Sequence, residues 1–316
     1  MVKKDQSGKC IETPDGMLDR VAEHISKAEK ADKELWKSNF LSIMDSLEFL
    51  PNSPTLINAG RELGQLSACF VLVLEDSMEN IFETVKQVAL IHRTGGGTGL
   101  VFSHLRPMGS VVKSTAGVAS GPVSFMRVFN TVTDVVKQGG VRRGANLGLL
   151  SINHPDIINF ISCKADTTEF QNFNISVSVT NNFLKAVEAD TNFPLRNTYT
   201  KEQNFVRARD LFNLICMQAW TNGEPGIIFI DTVNEKNPLP HLGRIEGVNP
   251  CGESPLLGNE SCNLGSIDVS KFVKNKKFDW DRLADVVAIA VRFLDDVIDV
   301  NKYPNVKIAR KTLLTR

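Results

Sequence analysis

Apolar residues recur at helical spacing through the first fifty positions of the chain. They are Leu18, Val21, Ala22, Ile25 and Ala28, followed by Phe40, Leu41, Met44 and Leu47. Such spacing predicts amphipathic helices that bury one face. The pattern stops at Pro51 and Pro54, because a proline disfavours helical geometry at the residue before it. We therefore predict a small helical region over residues 1–50 and a second domain over residues 51–316.

Beyond Pro51, short apolar runs of strand length alternate with longer segments of helical spacing. The predicted strands cover residues 68–74, 99–102, 145–152, 172–180 and 226–231, and the predicted helices cover residues 77–92, 120–138, 210–220 and 279–301. This alternation predicts an α/β sheet or barrel. Residues 172–180 alternate between apolar and polar side chains, so we expect this strand to have one polar face that forms the wall of a site.

Composition and charge narrow the class of partner. The 316 residues include 36 Lys and Arg and 36 Asp and Glu, so no net charge attracts the chain to nucleic acid or to an anionic membrane. No stretch approaches the roughly 18 consecutive apolar residues of a membrane span, and the polar residues 1–6 lack the apolar region of a signal peptide. We expect a cytoplasmic protein that binds neither membranes nor nucleic acid.

Six cysteines are scattered along the sequence without the spacing of a disulfide scaffold. They are Cys10, Cys69, Cys163, Cys216, Cys251 and Cys262. A reducing cytoplasm would keep them as thiols, so any disulfide is expected to be catalytic rather than structural. Because a free cysteine often behaves as a small buried hydrophobe, we interpret Cys10, Cys163 and Cys216 as structural.

One cysteine lies in the segment Asn249-Pro250-Cys251-Gly252-Glu253. If this segment is extended, residues two apart share a face, so an amide, a thiol and a carboxylate would lie together. A papain-like nucleophile would need a histidine downstream, yet every histidine precedes Cys251. A zinc site or a thioredoxin-like centre would need closely spaced cysteines such as Cys-x-x-Cys, which the sequence lacks.

Two further cysteines could supply electrons to a reaction. Cys69 begins the apolar run in Ser67-Ala68-Cys69-Phe70, and Cys262 follows Cys251 by eleven positions. Two thiols that meet in one pocket can deliver two electrons by forming a disulfide. The spacing alone leaves open whether Cys69 and Cys262 meet.

Four other segments have more than one interpretation. The glycine run at residues 95–99 lacks the Gly-Lys-Ser/Thr of a phosphate loop, so we interpret it as a helix stop and a tight turn. Residues 138–144 combine glycines with two arginines and could equally bind an anion or form a solvated loop. Asp76 precedes a predicted helix and could simply cap it. Residues 164–171 are polar and could be an ordinary loop.

Taken in order, these segments resemble one protein family. They are Asn52-Ser53-Pro54-Thr55-Leu56, Leu66-Ser67-Ala68-Cys69-Phe70, residues 95–99, residues 138–144, Asn172-Phe173-Asn174-Ile175-Ser176, residues 249–253 and residues 261–267. From about Pro51 onward the chain resembles the large catalytic subunit of ribonucleotide reductases, and most closely the class II type that depends on adenosylcobalamin. The resemblance implies the N-terminal portion of a ten-stranded α/β barrel, built of two half-barrels with a finger loop inside.

The resemblance also assigns roles to residues at matching positions. Cys251 matches the radical thiol that removes the 3′ hydrogen of the ribose, Glu253 the general base, and Asn249 the amide that orients the substrate. Cys69 and Cys262 match the redox pair. The implied substrate-binding residues are Ser53, Ala68, Asn249 and Glu253, and the implied allosteric effector-binding residues are Asp76, Arg106 and Lys164. No metal site is implied.

The implied reaction is the reduction of ribonucleotides, with diphosphates favoured, to 2′-deoxyribonucleotides. The expected ligands are adenosylcobalamin, held mostly outside this chain, and a deoxynucleoside triphosphate effector. The expected partners are a thioredoxin-type reductant, the C-terminal half of the barrel and a second copy in a homodimer. The alternatives are a class I enzyme with a separate radical subunit, a non-catalytic nucleotide-binding fragment, and a generic thiol oxidoreductase.

Overall fold

The computed structural model describes residues 1–112, 117–136 and 144–316. The chain divides into two compact units, each assembled from segments that are distant in the sequence. The first unit comprises Met1–Cys69, Thr94–Gly96 and Ser261–Arg316, and the second comprises Phe70–Arg93 and Gly97–Glu260. The linear division near Pro51 stays a prediction.

Helices occur in both units. They are α1 (Pro14–Ile25), α2 (Lys33–Asp45), α3 (Ser53–Asn58), α4 (Met78–Arg93), α5 (Pro122–Val135), α6 (Ile157–Ser162), α7 (Asn181–Glu188), α8 (Ala208–Asn222), α9 (Ile230–Glu235), α10 (Trp280–Val300) and α11 (Val306–Thr315), with short 3₁₀ helices at Ser26–Ala28, Pro240–Leu242 and Val269–Phe272. The helices predicted at residues 77–92, 210–220 and 279–301 are confirmed as α4, α8 and α10. In the described part of the chain, no helix has both the length and the apolar character needed to cross a bilayer.

The strands are mostly short. They are β1 (Phe49–Pro51), β2 (Cys69–Val73), β3 (Gly97–Val101), β4 (Val111–Val112), β5 (Gly117–Val118), β6 (Asn146–Ser151), β7 (Phe173–Val179), β8 (Asn192–Arg196), β9 (Gln203–Arg207), β10 (Gly226–Phe229), β11 (Gly247–Val248), β12 (Pro255–Leu256), β13 (Ser261–Cys262), β14 (Gly265–Ile267), β15 (Val273–Lys274) and β16 (Lys277–Phe278). Each of the five predicted strands is confirmed, as β2, β3, β6, β7 and β10.

The first unit has a helical core. Helices α1, α2 and α10 pack through buried residues that include Ile25 and Phe40. The ring of Phe293 on α10 contacts Phe40 edge to face with 5.2 Å between centroids, and it contacts Phe49 at 5.3 Å. Aromatic pairs in this arrangement stabilise a core beyond the area that they bury. The predicted helical region at the start of the chain therefore shares its core with the later helix α10.

The second unit is built around a sheet in the order β10-β7-β6-β3-β2. The pairs β10–β7, β7–β6 and β6–β3 are parallel, and helices connect successive strands, as in an α/β fold. The buried rings of Phe102, Phe129 and Phe173 pack together in its core, with centroid distances of 5.8 and 6.5 Å from Phe102. The predicted α/β fold is confirmed.

On one face of this sheet, at β3, polar side chains form a buried network. Because successive side chains of a strand point to opposite faces, Thr98 lies on the face opposite to Gly97 and Gly99. The Thr98 hydroxyl donates to Asn146 Oδ1 at 2.7 Å and lies 3.3 Å from Nε2 of His92 on α4. Burial lowers the pKa of His92 to about 4, so this imidazole is neutral at pH 7. The Thr98 face is therefore closed by a helix and a buried polar network.

Candidate functional site

The segment around Cys251 forms a tight turn in the second unit. The Gly252 amide donates to the Asn249 carbonyl at 2.9 Å, and Gly252 has φ +82°. The buried Asn249 side chain closes the turn from inside, because its Oδ1 accepts from the Ser254 amide at 3.0 Å. The backbone N–H of Asn249 donates to the Ser254 carbonyl at 3.1 Å. The turn therefore holds Pro250 and Cys251 at its two central positions.

The expectation that this segment is extended is wrong. Pro250 presets the φ angle that the second residue of a β-turn needs, and Gly252 tolerates a positive φ. As a result Asn249 is buried, whereas Cys251 and Glu253 are exposed. The thiol and the carboxylate are thus accessible in this chain, and the amide stabilises the turn from beneath. An Asn-Pro-x-Gly sequence is itself a turn signal that could have indicated this.

Three glycines allow the segment before Cys251 to lie against the sheet. A Cβ on Gly99 would fall 1.7 Å from the Val248 carbonyl oxygen, and one on Gly97 would fall 2.8 Å from Pro250 Cγ. On the segment itself, a Cβ on Gly247 would lie 2.4 Å from a methyl carbon of a valine in β2. Real Cβ atoms essentially never come so close, so the contact requires glycine. We call Gly97 and Gly99 the glycine seat.

The interpretation of residues 95–99 as a helix stop is therefore only half right. Gly95 has φ +85° and follows the end of α4, as a helix stop should. Gly97 and Gly99 instead lie inside β3 and need no unusual backbone angle. Their purpose is close approach of another segment, which a sequence cannot distinguish from a turn.

Asn174 contacts the same turn and was not among the predicted site residues. Its side-chain amide donates to the Pro250 carbonyl at 2.9 Å. It belongs to the polar face of β7, which was predicted to form the wall of a site. The register places Asn174 opposite Leu147, and Leu147 opposite Gly99. Residues opposite each other in a sheet share a face, so Asn174 and the glycine seat lie on the face that carries the turn.

The two cysteines of the predicted redox pair lie on neighbouring segments of the first unit. The Ala68 amide, next to Cys69, donates to the Cys262 carbonyl at 2.9 Å. Cys69 is buried and Cys262 is half-buried, and both are thiols. Hydrogen-bonded strands lie about 4.8 Å apart, and a disulfide joins Cα atoms about 4.4–6.8 Å apart. The two segments therefore run side by side at a backbone spacing of the size that a disulfide spans, and the redox pair stays a prediction.

The predicted substrate residue Ser53 also lies beside the Cys262 segment. It opens helix α3, which Asn52 caps by accepting from the Thr55 amide at 2.9 Å. The backbone N–H of Asn52 donates to the carbonyl of Leu264, two residues beyond Cys262, at 2.8 Å. In the first unit, the segment that contains Cys262 is therefore hydrogen-bonded both to the segment before Ser53 and to the segment of Ala68 and Cys69.

Two of the remaining three cysteines depart from their interpretation as buried structural residues. Cys10 and Cys216 are exposed, because α8 turns the Cys216 position outward rather than into its packed face. Cys163 is half-buried, and desolvation raises the pKa of its thiol to about 12. Only Cys163 therefore has the environment of an unreactive thiol.

Asp76 and Arg106, predicted to bind an effector, contact each other in the second unit. The Arg106 backbone amide donates to Asp76 Oδ1 at 3.1 Å, and its Nε donates to Oδ2 at 2.5 Å. The Arg106 guanidinium also lies 5.2 Å from the centroid of the Tyr199 ring. The alternative that Asp76 caps helix α4 is wrong, since Ser77 accepts from the Asn80 amide at 3.1 Å instead.

A cavity of about 640 Å³ opens beside Asp76 and Arg106. It is lined further by Ser77, Met78, Glu79, Ile81, Val118, Ala119, Ser120 and Phe125. A volume of 300–1,000 Å³ is typical of small-molecule sites. The cavity therefore has the size and one of the cationic groups that a nucleotide would need.

Lys164 does not point into that cavity. Its ammonium contacts the Glu224 carboxylate and the Phe173 carbonyl. Its own carbonyl accepts from the Asn222 side chain at 3.0 Å. The side chain thus anchors the start of the polar loop 164–171, and an effector-binding role for it stays a prediction.

A second cavity, of about 570 Å³, lies where strands of the second unit end. Its walls include Ser103, Ser151 and Ser178, and carboxyl ends of parallel strands are where α/β folds bind ligands. At its rim His104 Nε2 lies 2.8 Å from Glu246. The hydrogen bond that His104 donates to Glu246 raises the pKa of His104, and the same contact lowers the pKa of Glu246.

Two predictions concerned anions and metals. The anion candidate at residues 138–144 falls almost entirely outside the described residues. Across residues 1–112, 117–136 and 144–316, no group of three or more His, Cys, Asp or Glu side chains is arranged to hold a metal ion.

Two family profiles match the chain. The profile described as "Ribonucleotide reductase, all-alpha domain" matches residues 2–64, and the profile described as "Ribonucleotide reductase, barrel domain" matches residues 67–316. The second match covers the Cys251 turn, the Cys69 and Cys262 segments and the pair Asp76–Arg106. The sites described above therefore fall within the barrel profile.

Curated relatives agree with the profiles. The chain is 55% identical over 282 residues to a vitamin B12-dependent ribonucleoside-diphosphate reductase of Thermoplasma acidophilum, which covers 88% of this chain and 37% of the relative. It is 48% identical over 318 residues to the protein of the same name from Mycobacterium tuberculosis strain H37Rv, covering 99% of this chain and 45% of the relative. A ribonucleoside-diphosphate reductase large subunit of vaccinia virus is 31% identical over 331 residues, covering 94% of this chain and 42% of the relative. The chain thus spans less than half the length of these relatives, and it belongs to the ribonucleotide reductase family.

Proposed function

We propose that this chain is the N-terminal part of a catalytic subunit that reduces ribonucleoside diphosphates to 2′-deoxyribonucleotides for DNA synthesis. The observation that carries the proposal is the Cys251 turn, which presents an exposed thiol beside an exposed carboxylate on a rigid backbone. The family match supports radical chemistry for that thiol. The names of the relatives at 48–55% identity support the diphosphate substrate.

In the proposed reaction, the Cys251 thiyl radical takes the 3′ hydrogen of the ribose and becomes a thiol. Glu253 accepts the proton of the 3′ hydroxyl, as a positioned carboxylate can, and Asn249 keeps the turn in place. The 2′ hydroxyl leaves as water after taking up a proton. Cys69 and Cys262 provide the two electrons and end as a disulfide. The 3′ hydrogen then returns from Cys251, which regenerates its radical.

A radical source must first convert the Cys251 thiol to its radical. Generating that radical is the chemistry that adenosylcobalamin supplies when it is bound. The exposed Cys251 thiol fits such a source, because its sulfur can be reached without opening the fold. The residues that hold the cofactor belong, in this proposal, mostly to the remainder of the protein. The two vitamin B12-dependent relatives support this cofactor over a separate radical subunit.

We further propose two nucleotide sites. Ser53, together with the backbone at Ala68, contacts the substrate near the redox pair. A deoxynucleoside triphosphate effector occupies the cavity beside Asp76 and Arg106, where the carboxylate can accept from a ribose hydroxyl and the guanidinium can bind phosphate oxygens. Occupancy of that cavity changes substrate preference, with Lys164 anchoring the loop that couples the two sites.

The proposed partners follow from the incomplete barrel. The second half-barrel closes over the exposed Cys251, because a radical in an open site would be lost to side reactions. A thioredoxin-type dithiol reduces the Cys69–Cys262 disulfide after each turnover. We propose a homodimer in the cytoplasm, where a thiol reductant keeps the six cysteines reduced.

The experiment that tests the proposal is a reductase assay on the chain supplied with the polypeptide that completes the barrel. Ribonucleoside diphosphate, adenosylcobalamin and dithiothreitol should yield 2′-deoxyribonucleoside diphosphate, and omission of adenosylcobalamin should abolish the product. Product formed without adenosylcobalamin, but with a separate radical protein, would contradict the cofactor assignment. Nucleotide binding without any product would favour the non-catalytic alternative.

Calorimetry tests the effector site separately. A deoxynucleoside triphosphate should bind the wild-type chain, and Asp76→Ala should weaken binding by about tenfold, the effect of removing one charge-assisted contact. Ser162→Ala, a change in another helix of the same unit, is the matched control. Equal affinity for the wild type and Asp76→Ala would place the effector elsewhere.

A further inference from the structure

We propose that Asn174 is a positioning residue for Cys251: its side-chain amide holds the Pro250 carbonyl against the sheet and thereby fixes the turn that presents the thiol. The inference rests on the proposed role of Cys251. It also assigns a purpose to the polar face of β7 and to the glycine run, which the proposed reaction leaves unused.

A hydrogen bond from a distant strand joins Asn174 to the Cys251 turn. Asn174 and Pro250 are 76 positions apart in sequence, and the Asn174 amide reaches the Pro250 carbonyl at 2.9 Å. The accepting carbonyl belongs to the peptide bond that leads directly into Cys251. Its direction therefore sets the backbone orientation of the cysteine.

The glycine seat acts on the same peptide from another side. Gly97 faces the Pro250 ring, and Gly99 faces the Val248 carbonyl, at distances that leave no room for a Cβ. These contacts limit how deep the turn can sit on the sheet. They cannot stop the Pro250 peptide from rotating, because van der Waals contacts have little directionality. The hydrogen bond from Asn174 adds the missing directional restraint.

The turn's internal bonds need this external restraint. The bonds from Gly252 and Ser254 to Asn249 hold the turn's shape, but they form within the turn and do not tie it to the sheet, so without Asn174 the turn opens more often. Asn174 lies on β7 and is paired in the parallel sheet with Leu147 of β6. It therefore ties the turn to a strand that the sheet's own pairing holds in place.

The expected consequence for catalysis is a loss of rate with little change in substrate binding. Asn174 is not placed to touch the substrate through the contact that we describe, so KM should stay within about twofold of wild type. A small misplacement of a reacting group slows the chemical step strongly, so kcat should fall by about tenfold or more. A merely structural defect would instead lower the amount of folded enzyme and leave kcat per folded molecule unchanged.

The test combines amide exchange with kinetics. In the chain, Asn174→Ala should raise hydrogen–deuterium exchange at the Gly252 and Ser254 amides by about fivefold, as expected for loss of one hydrogen bond. Asn174→Asp, which keeps the size but lacks the amide donor, should do the same. Asn237→Ala is the matched control, since it removes a 3.1 Å amide-to-carbonyl bond to Gly243 in the same unit. It should leave both exchange and kcat unchanged.

The outcomes separate this inference from the proposed function. In the completed enzyme, faster exchange at the turn together with a reduced kcat and an unchanged KM supports Asn174 as the positioning residue. Unchanged exchange, or faster exchange with an unchanged kcat, overturns it. If the wild-type enzyme makes no deoxyribonucleotide, the proposed function fails, and the positioning of Cys251 for catalysis fails with it. The exchange result still shows whether Asn174 holds the turn.

Discussion

The thiol of Cys251 and the thiols of Cys69 and Cys262 are held in opposite ways. Cys251 is exposed at the centre of a turn, and the fold fixes the peptides on both sides of it. Cys69 is buried in a strand, and Cys262 is half-buried on a segment that is hydrogen-bonded beside it. The first arrangement presents one thiol at the surface, whereas the second places two cysteines on adjacent hydrogen-bonded segments.

This difference matches two kinds of chemistry. A thiol that must take a hydrogen atom from a substrate needs access and a fixed direction, which a turn on a rigid sheet supplies. Two thiols that must become a disulfide need only closeness to each other, which paired strands supply at the required spacing. The backbone of each region therefore fits the role that we propose for its cysteines.

The largest expected effect separates the two roles. Cys262→Ser removes one member of the redox pair, so turnover with a dithiol in the completed enzyme should fall by on the order of a thousandfold, as for a member of a unit that acts together. Folding should be unchanged, because Cys262 is only half-buried. Multiple-turnover rates measured with ribonucleoside diphosphate and dithiothreitol check this. Turnover near the wild-type rate would remove the pair from the mechanism.

The glycine seat gives the next effect. Gly99→Ala places a Cβ where the Val248 carbonyl now lies, so the turn must move or the sheet must distort, at a cost of about 3 kcal/mol in the free energy of unfolding. Urea denaturation of the chain measures this cost. Gly16→Ala, whose added Cβ comes no closer than 3.3 Å to another atom, is the control. A stable Gly99→Ala variant would mean that the seat does not support the turn.

The smallest expected effect concerns the network under β3. Because the pKa of His92 is lowered to about 4 in the fold, from about 6.5 in the unfolded chain, its stabilising effect is full above pH 6.5 and is lost as the pH falls toward 4. Between pH 7.5 and 5 it should account for about 2 kcal/mol of lost stability. In His92→Gln this loss should be absent, so the urea midpoint of unfolding should fall less between pH 7.5 and 5 than it does in the wild type. An unchanged pH dependence would contradict a neutral buried imidazole.

The regular parts of the fold were accessible from sequence because their signals are periodic. The alternation in residues 172–180 predicts β7, and the apolar stripe in residues 279–301 predicts α10. Both patterns arise because an element that buries one face repeats apolar residues at its own period, and this repeat can be read from residues that are close in the sequence. The family resemblance then supplied the roles of Cys251, Cys69 and Cys262, which no periodicity contains.

The parts that sequence missed depend on contacts between distant positions. The purpose of Gly99 is visible only once Val248 lies against it, and Asn174 gains its role only from Pro250. Asp76 could equally have capped a helix, and the choice is made by Arg106, thirty positions away. The turn at Cys251 is a different case, since its signals, Pro250 and Gly252, are local and visible in the sequence.

Tritium release shows most directly which cysteine takes the 3′ hydrogen. Ribonucleoside diphosphate labelled with tritium at the 3′ carbon is incubated with the completed enzyme and adenosylcobalamin, and release of tritium to water is measured for Cys251→Ser and Cys262→Ser. We expect no release above background for Cys251→Ser and measurable release for Cys262→Ser. Release from the Cys251→Ser enzyme at the wild-type rate would contradict the radical role of Cys251.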